Sequence, residues 1–344
     1  MKIGLIGCGG MGTTHNLSLK ALSENKDVEV AAIADCRAEK LEKAAELWPN
    51  ARRYADGMAL LQQEDGLDMA DICLPSYLHT DHAVAAMNKG MHVFVEKPVC
   101  LTESDCVRLL EAEKKCGRKV MVGQVLRSAE EYRFLKNAYD EQTYGKLKSI
   151  VMQRIGSDVP WGFEDWFHDE KKSGSVVMDL HVHDLDFLRC LLGEPDSFSS
   201  RATAFASGMV NQIITCYQFG SVFATAEGTW NVSPAVPFEA SYRACFEEAT
   251  IVWQSRAEHP LAVYQKDGTT QYPALRPEYA VEDTSAGINI SNLGPYYAEL
   301  KYFIECVEQN RPIARAPLCE AIGSVRLALK ELAAAKAYLA ATGA

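Results

Sequence analysis

The chain has 344 residues, 48% hydrophobic and 24% charged, with a formal net charge of −11. This is the composition of a soluble globular protein, long enough for two domains at about 100–200 residues each. The acidic balance argues against a nucleic-acid partner, which calls for a basic patch. No apolar run approaches the ~18 residues of a membrane helix, and the N-terminus enters a strand without signal-peptide architecture, so no membrane is expected and a cytoplasmic location is. Eleven cysteines are scattered, several inside apolar runs (Cys8, Cys73, Cys190, Cys216), with no C-x-x-C pair. They read as reduced, mostly buried small hydrophobes rather than as a zinc site.

The first element organises the rest. Met1 to Ile6 is a short apolar run, and Gly7, Gly9 and Gly12 follow in G-x-G-x-x-G spacing, with Gly10 and Met11 between them. Thr13 to Leu22 then reads as a helix. Strand, glycine turn and helix in that order form a dinucleotide-binding fingerprint. Gly7 allows the tight turn, Gly9 lets the backbone approach a pyrophosphate, and Gly12 lets helix pack on strand. The helix N-terminus offers free N–H groups to the phosphates.

Val28 to Ala34 is a second strand ending at Asp35, the position of an acid that binds ribose hydroxyls. A carboxylate there repels a 2′-phosphate and favours NAD, while Arg37 keeps NADP open. A helix N-cap is the plainer role for Asp35. A helix over 38–47 follows, then buried strands at Ala70–Leu74, His92–Val95 and Lys119–Gly123, with helical stretches between. Repeated strand–helix units with near-continuous apolar strands predict a doubly wound parallel sheet. Ligands bind such sheets beyond the carboxyl ends of the strands, where Pro75, Ser76, Lys97 and Gln124 fall.

The texture changes after residue 123. A helix over Arg127–Asp140 leads into strands at Leu147–Ile155, Ser197–Ala206, Asn211–Phe219, Val222–Trp230, Phe238–Phe246 and Thr250–Gln254, as in an antiparallel meander. A helix over Val176–Leu192 interrupts them, and helices over Tyr296–Gln309 and Leu318–Ala341 close the chain. Gly268 to Leu293 is the loosest stretch. The expected fold is α/β: a Rossmann domain over 1–123, then an α+β domain with a largely antiparallel sheet over 124–344.

Two places carry candidate chemistry. Glu96-Lys97-Pro98 ends a strand, where a lysine can reach a nicotinamide; the proline restrains Lys97 to an extended backbone. An exposed lysine paired with Glu96 is the plainer reading. On the helix over Val176–Leu192, Asp179, His183 and Asp186 form a polar stripe, and His183 can exchange a proton near neutral pH. Asp and His are also metal ligands. His181, however, stands two positions from both Asp179 and His183, about 200° round a helix, so no metal site is expected.

These pieces in order resemble the Gfo/Idh/MocA family of oxidoreductases, which includes inositol 2-dehydrogenase. The matching residues are the glycine turn Gly7 to Gly12, Asp35, Pro75-Ser76-Tyr77-Leu78-His79, Glu96-Lys97-Pro98 and Asp179-x-x-x-His183. The resemblance implies that Lys97 is catalytic, with Asp179 and His183 as its acidic and histidine partners. It implies that Ser76, His79, Glu96 and Gln124 lie along the cofactor. Tyr296 resembles a substrate-contacting tyrosine, and Arg127, Trp161 and Trp166 are further candidates for the substrate pocket. The open sheet face would join a homodimer or homotetramer. One departure stands out: many members carry Trp-Arg before a glycine-rich turn, whereas Phe167 follows Trp166 here, and the turn is Ser173-Gly174-Ser175. The implied activity is NAD(P)-dependent oxidation of a secondary alcohol on a sugar, cyclitol or polyol, or its reverse. Glycoside hydrolysis through transient oxidation and a non-catalytic nucleotide sensor are the alternatives.

Overall fold

The computed structural model describes residues 1–160, 162–276 and 293–343. The chain opens with β1 (Lys2–Ile6), α1 (Gly10–Ser23), β2 (Glu29–Ala34), α2 (Ala38–Ala45), β3 (Arg52–Tyr54) and α3 (Gly57–Gln63). It continues through β4 (Met69–Ile72), α4 (His79–Asn88), β5 (His92–Glu96), α5 (Glu103–Cys116) and β6 (Val120–Gly123). The six strands form one sheet in the order β3-β2-β1-β4-β5-β6, all pairs parallel. The strand order reverses between β1 and β4, the switch point at which doubly wound sheets bind ligands. Helix boundaries follow local chemistry. At α5, Thr102 accepts the Asp105 N–H at 3.1 Å, and Gly117 ends the helix at φ 62°, where a side chain would be strained.

The chain then runs through α6 (Glu130–Asp140), β7 (Leu147–Ser157), α7 (Glu170–Ser173), a π-helical turn over Val177–His181 and α8 (Val182–Leu192). Next come β8 (Ser197–Ala204), β9 (Val210–Phe219), β10 (Val222–Asn231), β11 (Glu239–Phe246), β12 (Ala249–Gln254), β13 (Leu261–Gln265) and β14 (Thr270–Gln271). This eight-stranded sheet has the order β14-β13-β12-β11-β7-β10-β9-β8. It is antiparallel except for β7 beside β10. A single meander is therefore not what forms. β8–β10 and β11–β14 are separate meanders, and β7 is inserted between them. Tyr132 anchors the core here, its ring 4.9 Å from Phe187, 5.4 Å from Tyr242 and 5.3 Å from Trp253.

Two helices close the chain, α9 (Gly294–Glu308) and α10 (Leu318–Thr342). The chain divides into two compact units, and the late helix α9 falls in the first of them. One unit holds the described residues of Met1–Ser128 and Pro277–Ile322; the other holds those of Ala129–Arg276 and Gly323–Ala344. The physical reason is the apolar face of α9. Tyr297, Leu300, Phe303 and Ile304 share one core with Ile3, Leu5, Leu19, Leu22 and Phe94, so the late helix completes the parallel-sheet unit. Most of the loose stretch 268–293 lies outside the described residues, as does Trp161.

All eleven cysteines are thiols. Cys8, Cys73, Cys100, Cys106 and Cys306 are buried, but Cys216, expected inside, is exposed on β9. No described helix is long and apolar enough to cross a membrane.

Candidate active site

At Gly7 and Gly12 the glycine turn is built from backbone contacts that leave no room for side chains. Gly7 has φ +93°, and its N–H donates to the Ala34 carbonyl at 2.8 Å. A Cβ on Gly12 would stand 1.8 Å from the Gly7 carbonyl oxygen, so that close approach excludes any other residue. The helix starts inside the motif, at Gly10 rather than Thr13, with Gly9 as its N-cap. The first intrahelical bond runs from Thr13 N–H to the Gly9 carbonyl, 2.9 Å. The N–H groups of Gly10, Met11 and Gly12 are thus the orphan donors of a helix start, aimed where a phosphate is stabilised.

Asp35 is buried and tightly held. Its carboxylate accepts the Cys8 N–H at 2.7 Å, the Arg37 N–H at 2.9 Å, and Arg37 Nε and Nη2 at 3.0 Å each. Burial pulls its pKa up, but the Arg37 and Cys8 hydrogen bonds outweigh that and hold it below the usual carboxylate range. Arg37, not Asp35, is the N-cap of α2. The Arg37 guanidinium lies near Gly9, where a Cβ would stand 3.5 Å from Nη2. A carboxylate offers about four acceptor sites. Ribose hydroxyls can therefore reach Asp35 only by exchanging with the guanidinium.

The ends of β4, β5 and β6 bring the other predicted residues of this unit together. Pro75 precedes a 3-10 turn over Ser76–Leu78 in which Ser76 is buried. His79 is buried, Nδ1 lying 2.7 Å from the Pro98 carbonyl and Nε2 2.7 Å from that of Leu74. Burial holds its pKa down, against two carbonyls that favour the charged ring. Lys97 follows β5 directly, half-buried, and the Lys97–Pro98 peptide is cis. Glu96 is buried; its carboxylate accepts the Lys97 N–H at 3.1 Å and lies 3.1 Å from His15 Nε2. The Gln124 side-chain nitrogen is buried without an acceptor among the described residues. A group bearing a carbonyl or hydroxyl oxygen would satisfy it. Arg127 is buried and donates to the Glu320 carboxylate. Tyr296 lies on α9, its ring centroid 6.4 Å from that of His15.

A glycine cradle, orphan helix N–H groups, a buried acid after β2 and an orphaned amide at the end of β6 together fit a dinucleotide.

In the other unit the helix carrying Asp179 departs from α geometry. Val177–His181 is a π turn, a form frequent at functional sites. Asp179 and His183 are both half-buried, while His181 is fully buried. His181 Nε2 lies 2.6 Å from the Glu331 carboxylate and 3.2 Å from the Tyr217 hydroxyl, so it points away from its neighbours as the periodicity required. Asp179 accepts from Trp230 Nε1 at 3.3 Å. Asp186 does not continue the stripe. It is buried and accepts from the Ser324 hydroxyl at 2.7 Å. Trp166 stacks on Phe167, ring centroids 3.9 Å apart.

Sequence reasoning missed the buried charges. Arg154 is buried, donating to Asp184 at 2.9 Å and to the Tyr132 hydroxyl at 3.0 Å. His15, Asp71 and Glu299 form a second buried group. One signal was available: Asp71 interrupts the apolar run of β4, and a buried carboxylate requires a partner.

These features define a dinucleotide-binding Rossmann unit joined in one chain to a unit built on a largely antiparallel sheet. The profile of the oxidoreductase family with an NAD-binding Rossmann fold, Gfo/Idh/MocA, matches residues 1–124, and that family's C-terminal domain profile matches residues 132–252. The chain belongs to this family. It is 29% identical over 195 residues to the myo-inositol 2-dehydrogenase of Thermotoga maritima, covering 56% of this chain and 55% of that one. It is 31% identical over 198 residues to the inositol 2-dehydrogenase of Salmonella paratyphi B, again 56% and 55%. The matched region thus spans about half the length of these curated relatives. In fold, the structure resembles a levoglucosan dehydrogenase in complex with NADH and levoglucosan, with TM-score 0.84, 18% identity and 98% of each chain covered. It also resembles an oxidoreductase from Agrobacterium radiobacter in complex with NAD+, L-tartaric acid and magnesium, with TM-score 0.81, 17% identity and coverage of 97% and 96%.

Proposed function

We propose that the protein is an NAD(P)-dependent dehydrogenase that moves a hydride between nicotinamide and a secondary alcohol of a sugar, cyclitol or polyol. The observation that carries this reading is Lys97 at the carboxyl end of β5, in the unit whose glycine turn fits a dinucleotide. Inositol dehydrogenases among the relatives support the substrate class. The bound nicotinamide supplies the hydride chemistry. The N–H groups of Gly10 to Gly12 bind its pyrophosphate, and Asp35 binds the adenosine ribose after Arg37 moves aside. Ser76 and Gln124 hold the cofactor at the strand ends.

His183 is the general base that takes the hydroxyl proton. Lys97 donates a hydrogen bond to the same oxygen and stabilises its developing charge. Asp179, oriented by Trp230, positions the substrate; Arg127 and Tyr296 complete the substrate contacts. Copies of the chain associate through the outer face of the eight-stranded sheet, where register places Phe223 and Tyr264 on one row and Ile214 on the same face, all exposed.

A panel of inositols, polyols and sugars assayed with NAD and NADP, read by absorbance of the reduced cofactor, tests the activity. Lys97→Ala cuts turnover to a small residual rate while leaving NADH binding within a few-fold. Wild-type turnover in that variant overturns the assignment of Lys97. Light scattering of the native protein tests association.

A further inference from the structure

Below the strand ends, the parallel-sheet unit holds a sealed group of ionisable side chains that the chemistry above does not use. His15 projects from α1 and is fully buried. Its Nδ1 lies 3.0 and 3.1 Å from the two oxygens of Asp71 on β4, and 3.2 Å from the Cys73 thiol. Its Nε2 lies 3.1 Å from Glu96 Oε1 at the end of β5. The other Glu96 oxygen accepts the N–H of Lys97. The Phe94 ring packs on His15 edge-on, centroids 5.5 Å apart. Glu299, on α9, closes the group. It is fully buried, and neither of its oxygens has a hydrogen-bond partner among the described residues.

Both ring nitrogens of His15 face carboxylates, which accept hydrogen bonds from a ring that carries both protons. Burial opposes the charged ring, but Asp71 and then Cys73 outweigh it and hold the imidazole pKa well above its usual range. Burial, and then the neighbouring Glu96 charge, push the Glu299 carboxyl pKa well up. The backbone makes space for this arrangement at Gly123 on β6, where a Cβ would stand 2.6 Å from Glu96 Oε1. Any side chain there would push the Glu96 carboxylate off His15.

Such a group is a poor way to stabilise a sheet. Buried ion pairs are often no better than apolar residues of the same volume. What this one does is fix the residue before Lys97 at two points, its carboxylate on His15 and on the Lys97 amide. We infer that His15 is a positioning residue that acts through Glu96: the Asp71–His15–Glu96 chain locks the end of β5 and so sets where the Lys97 amine stands. This rests on the reading of Lys97 as the group that stabilises the reacting oxygen. It also changes the expected role of Glu96, from a cofactor contact to an internal prop.

The experiment compares the full-length wild type with His15→Phe, Glu96→Gln, Lys97→Ala and His15→Phe/Lys97→Ala. Amide hydrogen exchange at Lys97 is followed by mass spectrometry, and kcat and KM are measured with NAD and myo-inositol as the probe substrate. His15→Phe is expected to speed Lys97 amide exchange at least tenfold. It should lower kcat at least tenfold with KM for myo-inositol within about twofold, since a displacement of about 1 Å at a reacting group can reduce rates 10²-fold. In the Lys97→Ala background His15→Phe should lower residual kcat no further, which a general structural role would not produce. Exchange and kcat within twofold of wild type in a folded His15→Phe overturn the proposal. If His15→Phe does not fold, isosteric Glu96→Gln, which removes the charge facing His15, decides on the same readouts. Wild-type turnover in Lys97→Ala would instead overturn the reading of Lys97, and a probe that is not turned over leaves the exchange measurement to decide the clamp.

Discussion

Alanine at Gly9 and at Gly12 separates what the glycine turn does for the fold from what it does for the cofactor. At Gly12 the added Cβ would lie 1.8 Å from the Gly7 carbonyl oxygen and 2.7 Å from its carbon. Both are backbone atoms, so no rotamer change relieves the clash. The start of α1 must retreat from the turn by roughly 1.5 Å to reach ordinary contact, and overpacking of this kind costs about 1–3 kcal/mol. The same retreat carries the Gly10 to Gly12 N–H groups off the pyrophosphate. At Gly9 the nearest atom to the added Cβ is Arg37 Nη2 at 3.5 Å, ordinary contact with the end of a flexible side chain. The Gly9 φ of −69° suits any residue. Gly9→Ala should therefore melt like wild type yet bind NADH about tenfold to a hundredfold more weakly, because on the proposed placement the methyl group would occupy the space of the pyrophosphate. Gly12→Ala should lose both stability and binding. Urea melts of the free protein and NADH fluorescence titrations measure the two quantities separately. Wild-type NADH affinity in Gly9→Ala would refute the placement of the pyrophosphate on that backbone. An unchanged melt in Gly12→Ala would refute the clash.

Further outcomes follow from the buried charges. Asp35→Asn removes the carboxylate that holds Arg37, and NADPH affinity relative to NADH should rise about tenfold by fluorescence titration, since a freed guanidinium pairs with a 2′-phosphate. Arg154→Met strands the Asp184 carboxylate, whose pKa burial raises and Arg154 restrains; urea melts should show a loss of about 3–5 kcal/mol. A loss under about 1 kcal/mol would mean that Asp184 already carries a proton. His15 and Glu299 both hold a proton more tightly folded than unfolded. Their stabilisation is therefore complete below the unfolded values, about 6.5 for His15 and 4.5 for Glu299, and is lost as pH rises toward the folded ones. Each group can contribute a slope of at most about 1.4 kcal/mol per pH unit. Melts from pH ~6 to ~9 should show the stability gap between wild type and His15→Phe narrowing as pH rises; a gap that widens contradicts a protonated His15.

The parallel sheet was legible because its strands are near-continuous apolar runs bounded by turn residues. Only β3, with the sequence Arg52-Arg53-Tyr54, escaped, being short and polar. Six of the second sheet's eight strands were legible one by one; β13 and β14, short and beyond the last strand read at Gln254, were not, and neither was the insertion of β7, because alternation along a strand says nothing about which neighbour it takes. The residues of the glycine turn and strand ends were readable from position. His15 was not: three residues after Gly12 it looks like one more helix residue, and only the fold brings it to Asp71 and Glu96. The π turn at Asp179 also left no trace, since its apolar and polar positions fit an α-helix equally well.

The return of α9 to the parallel sheet also has a temporal side. During synthesis all six strands of that sheet have been made by Gly123, but the helix bearing Glu299 and Phe303 starts only at Gly294. Until then the face that will enclose His15, Asp71 and Glu96 stays open to water. A nascent chain halted before α9 would therefore carry a dinucleotide cradle on an unfinished floor. The cofactor unit can close only after α9 has been made.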